Sequence, residues 1–196
     1  MKRISTLLFA LLLLTATVSC RHRDDYSPKP EAYLRLDMPQ QSYHKVDTTA
    51  LPFVFEASDE AEVHIKKDQP REKYIDLYYP RYKATAFLTY KALEPGEWHA
   101  QVDTSYKFLS QHFDFSSGVD EKQYLDPSNH IVATTYQLKG SKVASTYQFW
   151  VSDTTNHFLR GALFLDRTPN NDSLAPVLDY LQHDLRHLVE SIRWRE

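Results

Sequence analysis

The chain of 196 residues holds one cysteine and four glycines, and each shortage removes a class of protein. With Cys20 as its single thiol it can form no internal disulfide. So few glycines leave no room for a phosphate-cradling loop and disfavour backbone-lined anion sites. No Gly-x-Ser-x-Gly elbow and no His-Glu-x-x-His helix occurs, and no spacing singles out any of the many Ser, His and Asp residues as a nucleophile with its base. Positive charge is not in surplus either. Lys and Arg number 23 against 26 Asp and Glu, a net of −3, which argues against nucleic acid as a partner. Nor is there an apolar run of the roughly 20 residues that spans a bilayer, since the stretch from Leu7 to Val18 covers only about 12.

That stretch reads instead as a secretory signal over residues 1–19. Lys2 and Arg3 precede the apolar run and small polar residues follow it, up to Cys20. Ser19 just before the cysteine fits a lipobox, while Thr17 departs from the leucine usual three residues before it. An exported protein with one thiol and no disulfide partner is explained by thioether lipidation, so Cys20 is the expected lipid attachment site. Two or three acyl chains, at about 0.8 kcal/mol per buried CH2, would hold such a chain to a membrane essentially permanently. Arg21 gives no Asp-type retention signal, so the outer membrane is favoured over the cytoplasmic one, with the domain facing the periplasm. Residues 20–32 carry charge and proline without apolar periodicity and read as the lipidated cysteine and a tether. One domain is expected over 33–196.

Within it, short apolar runs at Tyr33–Asp37, Phe53–Glu56, Ala61–Lys66, Lys73–Tyr79 and Ala84–Tyr90 predict strands in a meander. Trp98, Val102, Tyr106 and Leu109 then share one helical face, which predicts a helix over about 98–112. Strands resume at Val132–Leu138, Thr146–Ser152 and Phe158–Leu165. The last segment repeats Leu174, Val177, Leu178, Leu181, Leu185, Leu188, Val189 and Ile192 at helical intervals, a long amphipathic helix with Asp172 or Ser173 as its N-cap and Pro176 in its first turn. The fold class is therefore α+β, an antiparallel sheet flanked by helices.

Few groups in the sequence carry chemistry. His183 and His187 stand i, i+4 on the last helix, but at 100° per residue from Leu174 they fall at about 180° and 220°, away from the apolar stripe. Facing solvent, they lack the further ligands a metal needs, so no metal, cofactor or catalytic residue is expected. Asp153, Asn156, His157 and Arg160 cluster where a loop enters a strand, a reasonable partner-binding surface. Turn chemistry accounts for the same residues, with Asp and Asn bonding their own backbone and His157 and Arg160 as solvated edge residues. Tyr74 to Tyr90 could stack on glycan rings or could simply be half-buried sheet residues.

Several blocks together resemble the GldD family of Bacteroidota gliding-motility lipoproteins: Asp25-Tyr26-Ser27-Pro28-Lys29-Pro30, Tyr33-Leu34-Arg35-Leu36-Asp37-Met38-Pro39, Gln148-Phe149-Trp150-Val151-Ser152-Asp153, His157-Phe158-Leu159-Arg160-Gly161-Ala162-Leu163-Phe164, and Pro169 through Val177. Ala32 departs from the glycine the family tends to place before the tyrosine. The resemblance implies an envelope lipoprotein needed for gliding and for the type IX secretion apparatus, and no reaction. Its partners would be other envelope proteins of a motility or secretion complex. The order of elements is also similar to the PsbP and Mog1 sandwich. Two other readings stay open: a peptidoglycan-acting envelope enzyme, and a lipoprotein that binds a small ligand or glycan.

Overall fold

The computed structural model describes residues 37–66 and 69–195. Cys20, the signal segment and the tether lie outside these residues, as does most of the strand expected over Tyr33–Asp37. Every described element falls within the unit Tyr33–Glu196.

Seven strands form one antiparallel sheet in the order β3-β4-β5-β9-β8-β7-β6. These are β3 (Glu62–Ile65), β4 (Glu72–Tyr79), β5 (Ala84–Ala92), β6 (Gly118–Asp126), β7 (Ile131–Lys139), β8 (Tyr147–Ser152) and β9 (His157–Leu165). Two hairpin runs, β3-β4-β5 and β6-β7-β8-β9, meet where β5 pairs with β9. A small sheet of order β1-β2-β10 is built from β1 (Tyr43–Val46), β2 (Phe53–Ser58) and β10 (Arg193–Trp194). Strand β2 therefore does not join a five-strand meander as the sequence suggested. Its alternating residues Phe53, Phe55 and Ala57 are sealed off by the last helix and the main sheet instead.

Two helices, α1 (Trp98–Ser110) and α2 (Asn171–Ser191), lie among the described residues. They pack on opposite faces of the main sheet. Residue parity along the strands decides which face each side chain joins. On one face Leu77, Leu88, Val151, Leu159 and Leu163 meet Leu181, Leu185 and Leu188 of α2 together with the phenylalanines of β2. On the other, Tyr136, Trp150 and Phe158 meet Leu109, with Trp98 and Val102 of α1 packed beside them. Each fully buried Leu or Phe contributes about 1.5–3 kcal/mol of transfer free energy, so the larger α2 cluster carries most of the hydrophobic stabilisation. It also needs one residue to be absent. Gly161, in the middle of β9, lies so close to the Phe149 ring and Leu88 that any Cβ there would overlap them.

Helix α2 differs from expectation at its start. It begins at Asn171 rather than after Asp172 or Ser173, because Asn171 Nδ2 donates to the carbonyls of Gly140 and Val143 and ties the first turn to the β7–β8 loop. Pro176 consequently falls beyond the first turn, and the Asp172 carbonyl loses its usual helical donor. The buried arc of α2 is also wider than its leucine stripe. Tyr180 and Asp184 are buried as well, since β1 and β2 cover that flank.

Candidate functional site

The loop cluster singled out in the sequence is divided by the sheet. His157 opens β9 and Arg160 follows three residues later, so their side chains leave opposite faces of a strand that lies in the interior of the sheet. Neither is a solvated edge residue. Asp153, Asn156 and His157 line a cleft of about 690 Å³ with Asn129, Arg193 and Trp194. Arg160 lines a separate cleft of about 280 Å³ under α1.

In the first cleft, Asp153 is committed to its own loop. Its Oδ1 accepts the backbone N–H of Thr155 at 3.0 Å and those of Asn156 and His157 at 2.8 Å, while Oδ2 accepts the Thr155 hydroxyl at 3.0 Å. Burial works to raise its pKa, but those bonds prevail and hold the carboxyl below the usual aspartate range. Turn chemistry thus describes Asp153. The Asn156 side chain is exposed at the rim. His157 is held from both sides. Its ring stacks on Trp194 with centroids 4.9 Å apart and 9° between planes, and its Nδ1 lies 2.7 Å from the Tyr90 hydroxyl. Burial lowers the imidazole pKa against the pull of Asp153. Trp194 also meets Phe53 edge-on at 5.8 Å. Two backbone positions at the cleft are held at positive φ, His130 at 53° and Thr154 at 67°. The second is costly for a β-branched residue. Trp194 was not visible as a site residue in the sequence, because its two-residue strand follows a helix with no strand signal of its own.

The second cleft centres on Arg160. Its guanidinium carbon sits 4.0 Å from the centroid of the Phe108 ring, stacked between α1 and the sheet. Burial lowers its pKa, and no neighbouring charge opposes that shift. Tyr74 and Phe108, which line this cleft, are 37% and 41% exposed, and Phe87, two residues from Thr89 on the same face of β5, is 45% exposed. Phe108 belongs to α1, whereas Tyr74 and Phe87 stand on the sheet beside it, and Phe87 contacts Phe164 across the β5–β9 pair at 5.9 Å.

A third polar centre went unread in the sequence. Asp184, 2% exposed, accepts hydrogen bonds at Oδ1 from Gln41 Nε2 at 3.1 Å and the Tyr43 hydroxyl at 3.2 Å. Burial raises its pKa, and hydrogen bonding to Ser58, Tyr43 and Gln41 only partly offsets this. Of the two helix histidines expected to face solvent, His183 does and His187 does not. His183 is exposed, with Nδ1 3.2 Å from the Tyr43 hydroxyl. His187 is half-buried, stacked on Tyr43 at 3.7 Å and bonded to Glu56 at 2.6 Å. The β1–β2 hairpin covers the flank that the helical wheel assigned to water. Among the described residues no three His, Cys, Asp or Glu side chains converge as a metal site would require, and no helix is long and apolar enough to cross a membrane.

These features define an α+β domain with a helix on each face of an open sheet and polar clefts on its surface. Residues 23–194 match the family described as gliding motility lipoprotein GldD, and the chain belongs to that family. No curated protein and no solved structure matches it.

Proposed function

We propose that this chain is a lipid-anchored, non-enzymatic accessory or scaffold component of the gliding-motility and type IX secretion machinery, held through Cys20 in the outer membrane and facing the periplasm. The observation that carries this reading is the uncovered part of the main sheet. There the exposed rings of Tyr74 and Phe87 share the sheet face of Arg160, whose guanidinium lies over the exposed Phe108 of α1, the combination of aromatic and arginine that protein interfaces favour. Family membership supports the setting, and the lipobox supports the anchor. The helix–sheet–helix layering supports a PsbP/Mog1-type sandwich, a fold used mostly for binding.

The test is recovery of the native lipidated protein from crosslinked cells, with mass spectrometry of the captured proteins and of the Cys20 peptide. Stoichiometric motility or secretion components together with an acylated Cys20 are the expected result. A second reading, a glycan- or small-ligand-binding lipoprotein, is favoured by the roomy His157–Trp194 cleft. Co-purification of peptidoglycan fragments without protein partners would replace the scaffold reading with that one.

A further inference from the structure

Arg160 is unusual in what it lacks. Among the described residues its guanidinium has no hydrogen-bond acceptor and no carboxylate within ion-pairing distance, and its one recorded contact is the Phe108 ring. A guanidinium brings five donors in a fixed fork, and stacking on a ring engages the flat face while the N–H edge stays free. A half-buried cation left this way is costly, because burial weakens its hydration and nothing replaces it.

The walls of the cleft already have partners or are neutral. The Glu72 carboxylate accepts the Tyr74 hydroxyl at 2.7 Å. Glu97 is bonded to Arg71 at 2.8 Å, with Lys91 only 3.9 Å away from its other oxygen. Thr89 stands directly across the ladder from Arg160. Of the strands beneath, β5 and β9 have a ladder partner on both sides and β4 pairs with β5 along its whole length, so most of their backbone N–H groups are committed to the sheet. What remains to meet a ligand is a side-chain fork with a second cation nearby, rimmed by aromatic rings.

We infer that this cleft receives an acidic side chain of a partner protein, its carboxylate seated on the Arg160 fork and an adjoining apolar residue resting on Phe108 and Phe87. The inference rests on the docking reading above. Charge complementarity selects the occupant, since a planar carboxylate satisfies the fork with two parallel bonds. A chain terminus is the poorer match, because such ends are captured by free backbone N–H groups, which this surface does not offer.

The test uses the full-length lipoprotein in its own cells, with a photo-crosslinking phenylalanine analogue at position 87. The expected capture is a protein segment bearing Asp or Glu next to the crosslinked residue. Arg160→Glu should reduce that product by at least about tenfold, the scale for breaking a desolvated charge pair. Thr89→Glu should do the same while leaving Arg160 in place, because it supplies the missing carboxylate from the neighbouring strand. This second variant decides the matter if the first fails to fold. Replacing the partner's acid with Arg should restore capture by Arg160→Glu. Persistence of the product in both variants, or a captured segment without an acid, overturns the inference and leaves the docking reading standing. Crosslinks confined to residues 21–36 of the chain itself also overturn it. Capture of no protein from position 87 removes both readings together.

Discussion

His157 and Arg160 stand three residues apart on β9 and serve opposite faces of the same sheet, the first stacked on Trp194, the second on Phe108. A strand in the interior of a sheet thus gives two surface clefts one shared wall. Substitutions in the two clefts should accordingly act independently on binding, although they are neighbours in sequence.

Gly161, on the same strand as these two residues, has no room for a side chain. Gly161→Ala should destabilise the domain by about 2–3 kcal/mol, because a methyl group there forces the Phe149 ring and Leu88 out of place. Urea unfolding followed by tryptophan fluorescence reads this as a lower midpoint at unchanged slope.

Much of the fold was legible because the interior strands carry the period-two pattern of a buried face, and α2 carries the 3.6-residue stripe. What escaped detection were the elements that bury little. Strand β6 has Asp120, Glu121 and Lys122 in sequence and is exposed along most of its length, so no alternation marks it. Strands β1 and β10 are four and two residues long and owe their existence to β2, their shared neighbour. Placing the site depended on a single boundary. The loop before β9 was legible in sequence, but only a strand beginning at His157 separates the members of the expected cluster by parity. Asp184 was hidden for a different reason. It sits at the margin of the α2 stripe, and only the β1–β2 hairpin, itself half unseen, buries it.

Asp184 and His157 should respond to pH in opposite senses. The folded state raises the Asp184 pKa, so its contribution is full below the unfolded value of 3.8 and is lost as pH rises through the folded value. Asp184→Asn should therefore raise the thermal midpoint at pH 7 relative to the parent, and the gain should shrink on acidification. Asp184→Ala, which strands the Gln41 and Tyr43 donors, should instead cost about 1–3 kcal/mol.

For His157 the folded pKa is depressed, so stability is full above the unfolded value of 6.5 and is lost as pH falls through the folded one. Unfolding midpoints taken from pH 7.5 down to 5 should fall, and His157→Phe should flatten that slope. Since burial also lowers the His112 pKa, a residual slope should remain in the single variant and disappear in the double one.

Thr154 holds φ at 67°, where its branched Cβ is crowded by the backbone. Thr154→Gly should stabilise the domain by about 1 kcal/mol if the loop conformation is kept. Calorimetry of the two forms checks it, and an unchanged or lower midpoint would show that the loop relieves the crowding elsewhere.

Cys20→Ser should abolish incorporation of labelled fatty acid and move the protein from the membrane to the soluble fraction. Retention in the membrane fraction would mean that something other than the thioether lipid holds it.

The main sheet is open, and its outermost strands are β3 and β6. Among the described residues each has a ladder partner on one side only, and such an edge is the template on which a second chain could add its own strand. Copies of a lipoprotein share one leaflet, which confines them to two dimensions and multiplies their encounters. A run of three charged residues on β6 and the brevity of β3, whose four residues include Glu62 and His64, make such strand-to-strand fusion unfavourable. The charge that hid β6 from the sequence pattern is thus the same charge that makes its edge a poor template for a neighbouring copy.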